Sequence, residues 1–92
     1  MRQQLHEWRI LVDHIIDKVW EYIDEIDCWK AGTLLWVDAE NDTVALDDGG
    51  KQLAGESRPV EQFIVTEEDG SLHPDVDAIE EFAYGWFDFR QA

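Results

Sequence analysis

The sequence is poor in basic residues and in long apolar runs. Only 7 Lys and Arg side chains stand against 22 Asp and Glu, which gives a formal net charge of −15 at pH 7 over 92 residues. Nucleic acids and anionic lipid surfaces are bound by clustered Lys and Arg. The longest apolar run is Leu34–Val37, far short of the roughly 20 residues that a membrane-spanning helix needs. We therefore expect neither a nucleic acid nor a membrane as a direct partner.

Cysteine is almost absent, since Cys28 is the single one. One cysteine cannot form an intramolecular disulfide. Glu7 and Asp13 interrupt the N-terminal region, where a signal peptide has a continuous apolar stretch. These features predict a cytoplasmic protein.

Apolar material is nevertheless plentiful, with 45% hydrophobic and 12% aromatic residues. A disordered chain of high net charge has few aromatics, so we expect a folded protein with residues 1–92 in a single domain. A chain this short has a thin core. The thin core and the surplus of aromatics favour a homodimer, while the net charge opposes it.

Apolar residues recur every three or four positions from Leu5 to Trp29, with no Gly or Pro among them. This is the period of an amphipathic helix, and we expect one helix over residues 2–30. Its apolar stripe should pack against strands that contain Leu35 and Phe63. The residues expected to be buried in the stripe are Val12, Ile15, Val19, Ile23 and Ile26.

The central part of the chain predicts antiparallel strands. Residues 33–37 and 43–46 are rich in β-favouring residues and flank a turn-rich segment, which predicts a hairpin. A short strand is expected near Lys51–Leu53 and a loop between Gly55 and Pro59. The last strand is expected over Val60–Val65.

Pro74 and Asp75 predict the start of a second helix, because Pro is tolerated in a first helical turn and Asp suits the positive end of the dipole. Gly85 lowers helix stability by about 1 kcal/mol relative to Ala, which allows the helix to end there and leaves residues 86–89 as an extended tail. The residues expected on the apolar side are Val76, Ile79, Phe82, Ala83, Trp86, Phe87 and Phe89.

The predicted fold class is α+β, with the element order αβββ(β)α. A long N-terminal helix is followed by a three- or four-stranded antiparallel sheet and a C-terminal helix, and both helices lie on one face of the sheet.

Two patterns resemble metal sites but lack residues that such sites need. Asp38, Glu40 and Asp42 alternate like the start of an EF-hand loop, but Thr43 and Gly49 occupy the positions that need Gly and Glu. The three histidines and the cysteine are too scattered to supply four zinc ligands. We expect solvated turns and polar-face histidines, with no metal and no cofactor.

The sequence has no sign of an active site. It has no phosphate-binding glycine loop and no serine, histidine and aspartate in a catalytic order. A chain of 92 residues also has little volume in which to desolvate a catalytic carboxylate. We expect a protein that is not an enzyme.

Both helices carry carboxylates on their polar sides, and some aromatics leave the apolar stripes. Exposed aromatics anchor interfaces, although a buried face covered by the C-terminal tail is the alternative. The candidate acidic contact residues are Asp13, Asp17, Glu21, Asp24, Asp77, Glu80 and Glu81. The candidate aromatic contact residues are Trp20, Tyr84 and Trp86.

These residues predict a module that binds a basic protein. If that protein normally holds nucleic acid, carboxylates that stand in for phosphates would inhibit or regulate it. The alternative is an accessory or structural protein whose acidity serves solubility or a salty cytoplasm.

Overall fold

The computed structural model describes residues 2–25, 32–38, 41, 43–47 and 55–91. The elements in chain order are α1 (Arg2–Asp24), β1 (Leu34–Asp38), β2 (Thr43–Leu46), β3 (Glu56–Pro59), a 3₁₀ helix (Val60–Phe63), β4 (Ile64–Thr66), β5 (Leu72–Pro74) and α2 (Val76–Gln91). The predicted α+β class is confirmed.

The strands form two antiparallel sheets. The first has the order β2-β1-β3, and the second is the hairpin of β4 and β5. In the first sheet Trp36 lies opposite Ala45 on one side and Ser57 on the other. In the hairpin, Val65 lies opposite His73.

The core lies between α1, α2 and the inner side of β1. Leu35 and Val37 are fully buried and alternate with half-buried neighbours, as expected of a strand with one face on the core. Helix α1 packs against α2, β2 and β5. The buried hydrophobic residues are Leu11, Val12, Ile15, Val19, Tyr22, Leu35, Val37, Leu46, Val60, Phe63, Ile79 and Ala83.

The two helices run in opposite directions. Arg9, in the first half of α1, contacts Glu80 of α2, while Trp20, near the end of α1, contacts His73 just before α2. The first half of α1 therefore lies beside α2, and its last part lies beside β5.

The first helix is shorter than the predicted 2–30. It ends at Asp24, and Glu25 lies in a turn; the predicted end and Ile26 lie outside the described residues. Val12, Ile15 and Val19 are fully buried as predicted, and Ile23 is half-buried.

The predicted hairpin of residues 33–37 and 43–46 is confirmed by β1 and β2. The predicted loop between Gly55 and Pro59 is wrong, because backbone pairing with β1 makes Glu56–Pro59 a strand. The predicted strand over Val60–Val65 is wrong in its first part, where Phe63 belongs to a 3₁₀ helix. The strand expected near Lys51–Leu53 lies outside the described residues.

The predicted start of the second helix at Asp75 is confirmed, since Asp75 directly precedes α2, which begins at Val76. Pro74 is not in the first helical turn, because it ends strand β5. Val76 is 43% exposed and does not join the buried side. Helix α2 continues through Gly85 to Gln91, so the extended tail is not observed.

A candidate protein-binding surface

The outer face of α1 carries a row of carboxylates. Asp13, Asp17, Glu21 and Asp24 follow one another at spacings of three and four residues, which places them on one side of the helix. All four residues are exposed. With a rise of about 1.5 Å per residue, the row extends over about 16 Å. We call these four residues the α1 acidic row.

Most of the charge of this row is uncompensated. Glu21 Oε2 pairs with Lys18 Nζ at 3.2 Å, an exposed pair of the kind that contributes at most about 1 kcal/mol. Asp13, Asp17 and Asp24 form no ion pair within the part of the chain that the structure describes. Three carboxylates of the row are therefore available to an external cation.

An apolar patch borders the acidic row. Trp20 is 38% exposed and its ring packs edge-on against His73, with 5.6 Å between the ring centroids. His73 lies opposite Val65, which is 39% exposed. Asp17 and Asp24 lie one helical turn before and after Trp20. We call Trp20, His73 and Val65 the Trp20 patch.

The sequence identified only one member of this patch. The helical wheel predicts that Trp20 is exposed, since it lies off the apolar stripe of α1. The structure confirms this exposure. Val65 and His73 were missed, because strand β5 was not predicted and their pairing follows from it. An alternation signal over only three residues is too short to indicate a strand.

The candidate residues of α2 divide between two places. Asp77 is exposed and Glu80 is half-buried. Glu80 Oε2 pairs with Arg9 at 3.0 Å, and its carbonyl oxygen accepts a hydrogen bond from Trp8 Nε1 at 3.4 Å. Tyr84 is 62% exposed and packs edge-on against Trp8. Glu80 thus joins the two helices, while Tyr84 marks the end of their boundary that lies farther from Trp20.

The other two candidates of α2 lie in a separate groove. Glu81 and Trp86 line an open groove of about 700 Å³ together with Phe63, Phe82 and Arg58. Trp86 is half-buried, and its buried indole N–H has no hydrogen-bond partner among the described residues. The structure therefore does not place Trp86 with Trp20 and Tyr84.

A serine, a histidine and an aspartate meet at the β4–β5 turn. Ser71 Oγ donates to Asp69 Oδ1 at 2.6 Å and lies 3.1 Å from His73 Nε2. The hydroxyl and the backbone N–H of Ser71 hold the pKa of Asp69 below its usual value. Because the single hydroxyl proton of Ser71 is donated to Asp69, a hydrogen bond between Ser71 Oγ and His73 needs the His73 tautomer with Nε2–H as donor. This arrangement fixes the turn and does not activate the serine as a nucleophile.

The acidic turns hold no candidate cation site within the described residues, where no group of three or more His, Cys, Asp or Glu is placed to bind a metal. Asp38 instead accepts hydrogen bonds from the backbone N–H and the Nδ2 of Asn41 at 3.2 and 2.8 Å. Glu40 and Asp42, which completed the calcium-like pattern, lie outside the described residues.

Among the described helices, none combines the length and the apolar character needed to span a bilayer.

Comparison with known proteins finds no protein family, no curated protein and no solved structure that matches this chain.

Proposed function

We propose that this chain is a non-enzymatic binding module that docks the α1 acidic row onto the basic surface of a partner protein. One observation carries the proposal: the exposed carboxylates of Asp13, Asp17 and Asp24 form no ion pair among the described residues, and Asp17 and Asp24 flank the exposed Trp20. Charged groups around an interface steer a partner of opposite charge, and an exposed aromatic can anchor it.

The two components have different roles in binding. The net charge of −15 steers a basic partner toward the row and raises the association rate, an effect screened beyond about 8 Å at physiological salt. Trp20 supplies contact area that becomes desolvated in the complex, so it slows dissociation. The salt dependence should therefore appear in the association rate.

A partner that normally holds nucleic acid fits this surface, because carboxylates can occupy the positions of phosphates on a basic protein. Along α1 a carboxylate recurs about every 6 Å at four-residue spacing, whereas one DNA strand carries a phosphate every 3.4 Å or so along its axis. Competition with nucleic acid would thus depend on the total charge of the surface more than on a matched spacing. We place this encounter in the cytoplasm.

The experiment begins with affinity capture from a lysate at low and high salt, followed by identification of the salt-sensitive protein. Association and dissociation rates of the purified pair are then measured with two charge-reversal variants. The first is Asp13→Lys with Asp17→Lys, in the acidic row. The second is Glu67→Lys with Glu68→Lys, in the exposed β4–β5 turn. Each raises the net charge from −15 to −11, so the two variants are matched in total charge.

We expect the α1 variant to slow association about tenfold or more at physiological salt and the turn variant to change it much less. Trp20→Ala should raise the dissociation rate with little effect on association. Equal losses in both charge variants would mean that net charge alone drives binding. Binding that does not respond to salt would favour the alternative of acidity for solubility.

Self-association stays a prediction. The exposed Trp20 and Tyr84 offer contacts for a homodimer, and the like charge of two chains opposes it. Sedimentation at physiological salt tests it: a single species of 10.7 kDa at high protein concentration would contradict a dimer.

A further inference from the structure

The groove beside α2 has an apolar floor. Phe63 and Phe82 pack with their ring centroids 5.5 Å apart, and Ala78 and Trp86 complete the apolar lining. Phe63 is buried, whereas Phe82 and Trp86 are only half-buried. The exposed parts of these two rings form a surface on which a large apolar side chain can be desolvated.

The rim of the groove is charged, with a net negative sign. Glu56, Arg58 and Glu81 line it. Arg58 is already engaged, because its guanidinium pairs with Glu56 at 3.2 Å and lies 5.2 Å above the centre of the Phe82 ring. Glu81 forms no ion pair with the residues that the structure describes. The rim therefore has an unpaired anion and no unpaired cation of its own.

Trp86 adds a hydrogen-bond donor to the groove. Its indole N–H is buried and has no acceptor among the residues that the structure describes. Because the Trp86 side chain lines the groove, this N–H is a donor for a carbonyl oxygen held there. Peptide backbones carry such acceptors at every residue.

Gly85 keeps one edge of the groove open. It lies within α2, and a Cβ atom added to it would meet nothing within 4 Å. Gly85 lines the groove together with Phe82 and Trp86. Gly85 thus offers a way to fill the groove without changing its floor.

We propose that this groove binds a basic peptide segment by taking up one large aliphatic or aromatic side chain between Phe82 and Trp86, with a flanking Lys or Arg paired to Glu81. Charge complementarity selects this occupant, since a second copy of a chain with a net charge of −15 would be repelled. The inference rests on the proposed function in that the segment belongs to the same basic partner, which contacts the α1 acidic row elsewhere.

The test uses the full chain and two synthetic peptides, Lys-Lys-Gly-Leu-Gly-Lys-Lys and its counterpart with Ala in place of Leu. Binding is followed by NMR through the indole N–H signals, with Trp86→Phe to assign the Trp86 signal. We expect the Leu peptide to shift the Trp86 signal and to bind about tenfold more tightly than the Ala peptide. Equal binding of the two peptides, or an unmoved Trp86 signal, would overturn the proposal.

Two variants, each with a matched control, locate the site. Gly85→Leu should fill the groove and weaken the Leu peptide about tenfold, whereas Gly85→Ala should not. Glu81→Lys should weaken it as well, and Asp77→Lys is its matched control, since it makes the same charge change at an exposed position of the same helix that is not part of the groove. If Gly85→Leu unfolds the chain, the comparison of Glu81→Lys with Asp77→Lys still decides the test. If Glu81→Lys and Asp77→Lys weaken binding of the Leu peptide equally, the proposal that the groove binds this peptide is overturned.

The failure of this inference is distinguishable from that of the proposed function. If Asp13→Lys with Asp17→Lys abolishes binding of the Leu peptide while Glu81→Lys leaves it intact, the groove is wrong and the acidic row stands. If the Leu peptide binds the groove but the captured partner ignores reversal of the acidic row, the proposed function is wrong and the groove stands.

Discussion

Gly55 approaches Val37 so closely that a Cβ atom on Gly55 would overlap the carbonyl oxygen of Val37 and lie 2.8 Å from its carbonyl carbon. Gly55 also has a φ of 110°, which L side chains rarely adopt. It leads into β3, whose Glu56 pairs with Val37. The close approach and the backbone conformation both require glycine where the third strand joins the sheet.

Substitution of Gly55 by Ala should therefore destabilise the protein by about 2 kcal/mol or more, because conformational strain of about 1–3 kcal/mol adds to the overlap with Val37. Gly85→Ala is the contrasting variant. Gly85 is helical with open space around it, so Ala should stabilise the fold by up to about 1 kcal/mol. Urea unfolding of both variants measures the difference, and a neutral Gly55→Ala would contradict the close packing at β3.

The elements with a strong periodic pattern were predictable from sequence. Helix α1 and the β1–β2 hairpin follow from regular apolar spacing and β-favouring residues. Strand β3 has no such pattern: its residues Glu56–Pro59 are polar or conformationally restricted, and it exists because its backbone pairs with β1. Pairing of this kind depends on residues about 20 positions apart and leaves no local signal.

The candidate surface shows the same limit. A helical wheel places Trp20 and the acidic row of α1 outside the core, because the angular position of a residue shows whether it belongs to the apolar stripe. The wheel cannot show that the Glu80 carboxylate pairs with Arg9, 71 residues away, or that Trp86 lines a groove with Phe63. Those relationships follow from how α2 packs on the rest of the molecule.

Ile15→Ala tests the core beneath the acidic row. Ile15 is fully buried on α1, so its truncation should reduce the free energy of unfolding by about 2–5 kcal/mol. Ile10→Ala deletes the same atoms from the same helix at a half-buried position and should cost distinctly less. Equal losses in urea unfolding would show that the buried side of α1 is not where the structure places it.

Asp75 begins α2 by accepting a hydrogen bond from the backbone N–H of Ala78 at 3.2 Å. Removal of an N-cap side chain costs about 1 kcal/mol, so Asp75→Ala should lower the free energy of unfolding by about that amount, while Asp75→Asn should retain most of it. Asp77→Ala loses only a favourable interaction with the helix dipole, about 0.3–1 kcal/mol. Thermal unfolding ranks the variants, and a loss for Asp77→Ala larger than that for Asp75→Ala would contradict the cap.

Tyr22 should make the stability of the protein depend on pH in the alkaline range. Its hydroxyl donates to Glu61 Oε1 at 3.1 Å. Burial, followed by the hydrogen bond and the charge of Glu61, raises the pKa of Tyr22 above its ordinary value of 10.0. The folded state therefore retains this proton when the unfolded state has lost it, so stability falls as the pH rises past the unfolded pKa.

Tyr22→Phe isolates that contribution. At neutral pH the variant should be less stable by about 1 kcal/mol, the usual worth of a hydrogen bond. The gap between the two proteins should narrow as the pH rises from about 8 to about 11, since only the wild-type protein loses the Tyr22 contribution in that range. Urea unfolding at both pH values measures the gap, and a constant gap would mean that the ionisation of Tyr22 is not coupled to folding.

The surplus of carboxylates should make stability depend on salt. Asp13, Asp17 and Asp24 lack ion-pair partners among the described residues, and like charges at four-residue spacing repel each other along a helix. Raising the salt from about 0.01 M to about 0.15 M shortens the screening length from about 30 Å to about 8 Å, so the melting temperature should rise. Asp13→Asn with Asp17→Asn removes two of these charges and should raise the melting temperature at low salt more than at high salt. If the melting temperature does not respond to salt, repulsion within the acidic row is negligible. The row would then carry no stability cost that a binding role has to offset.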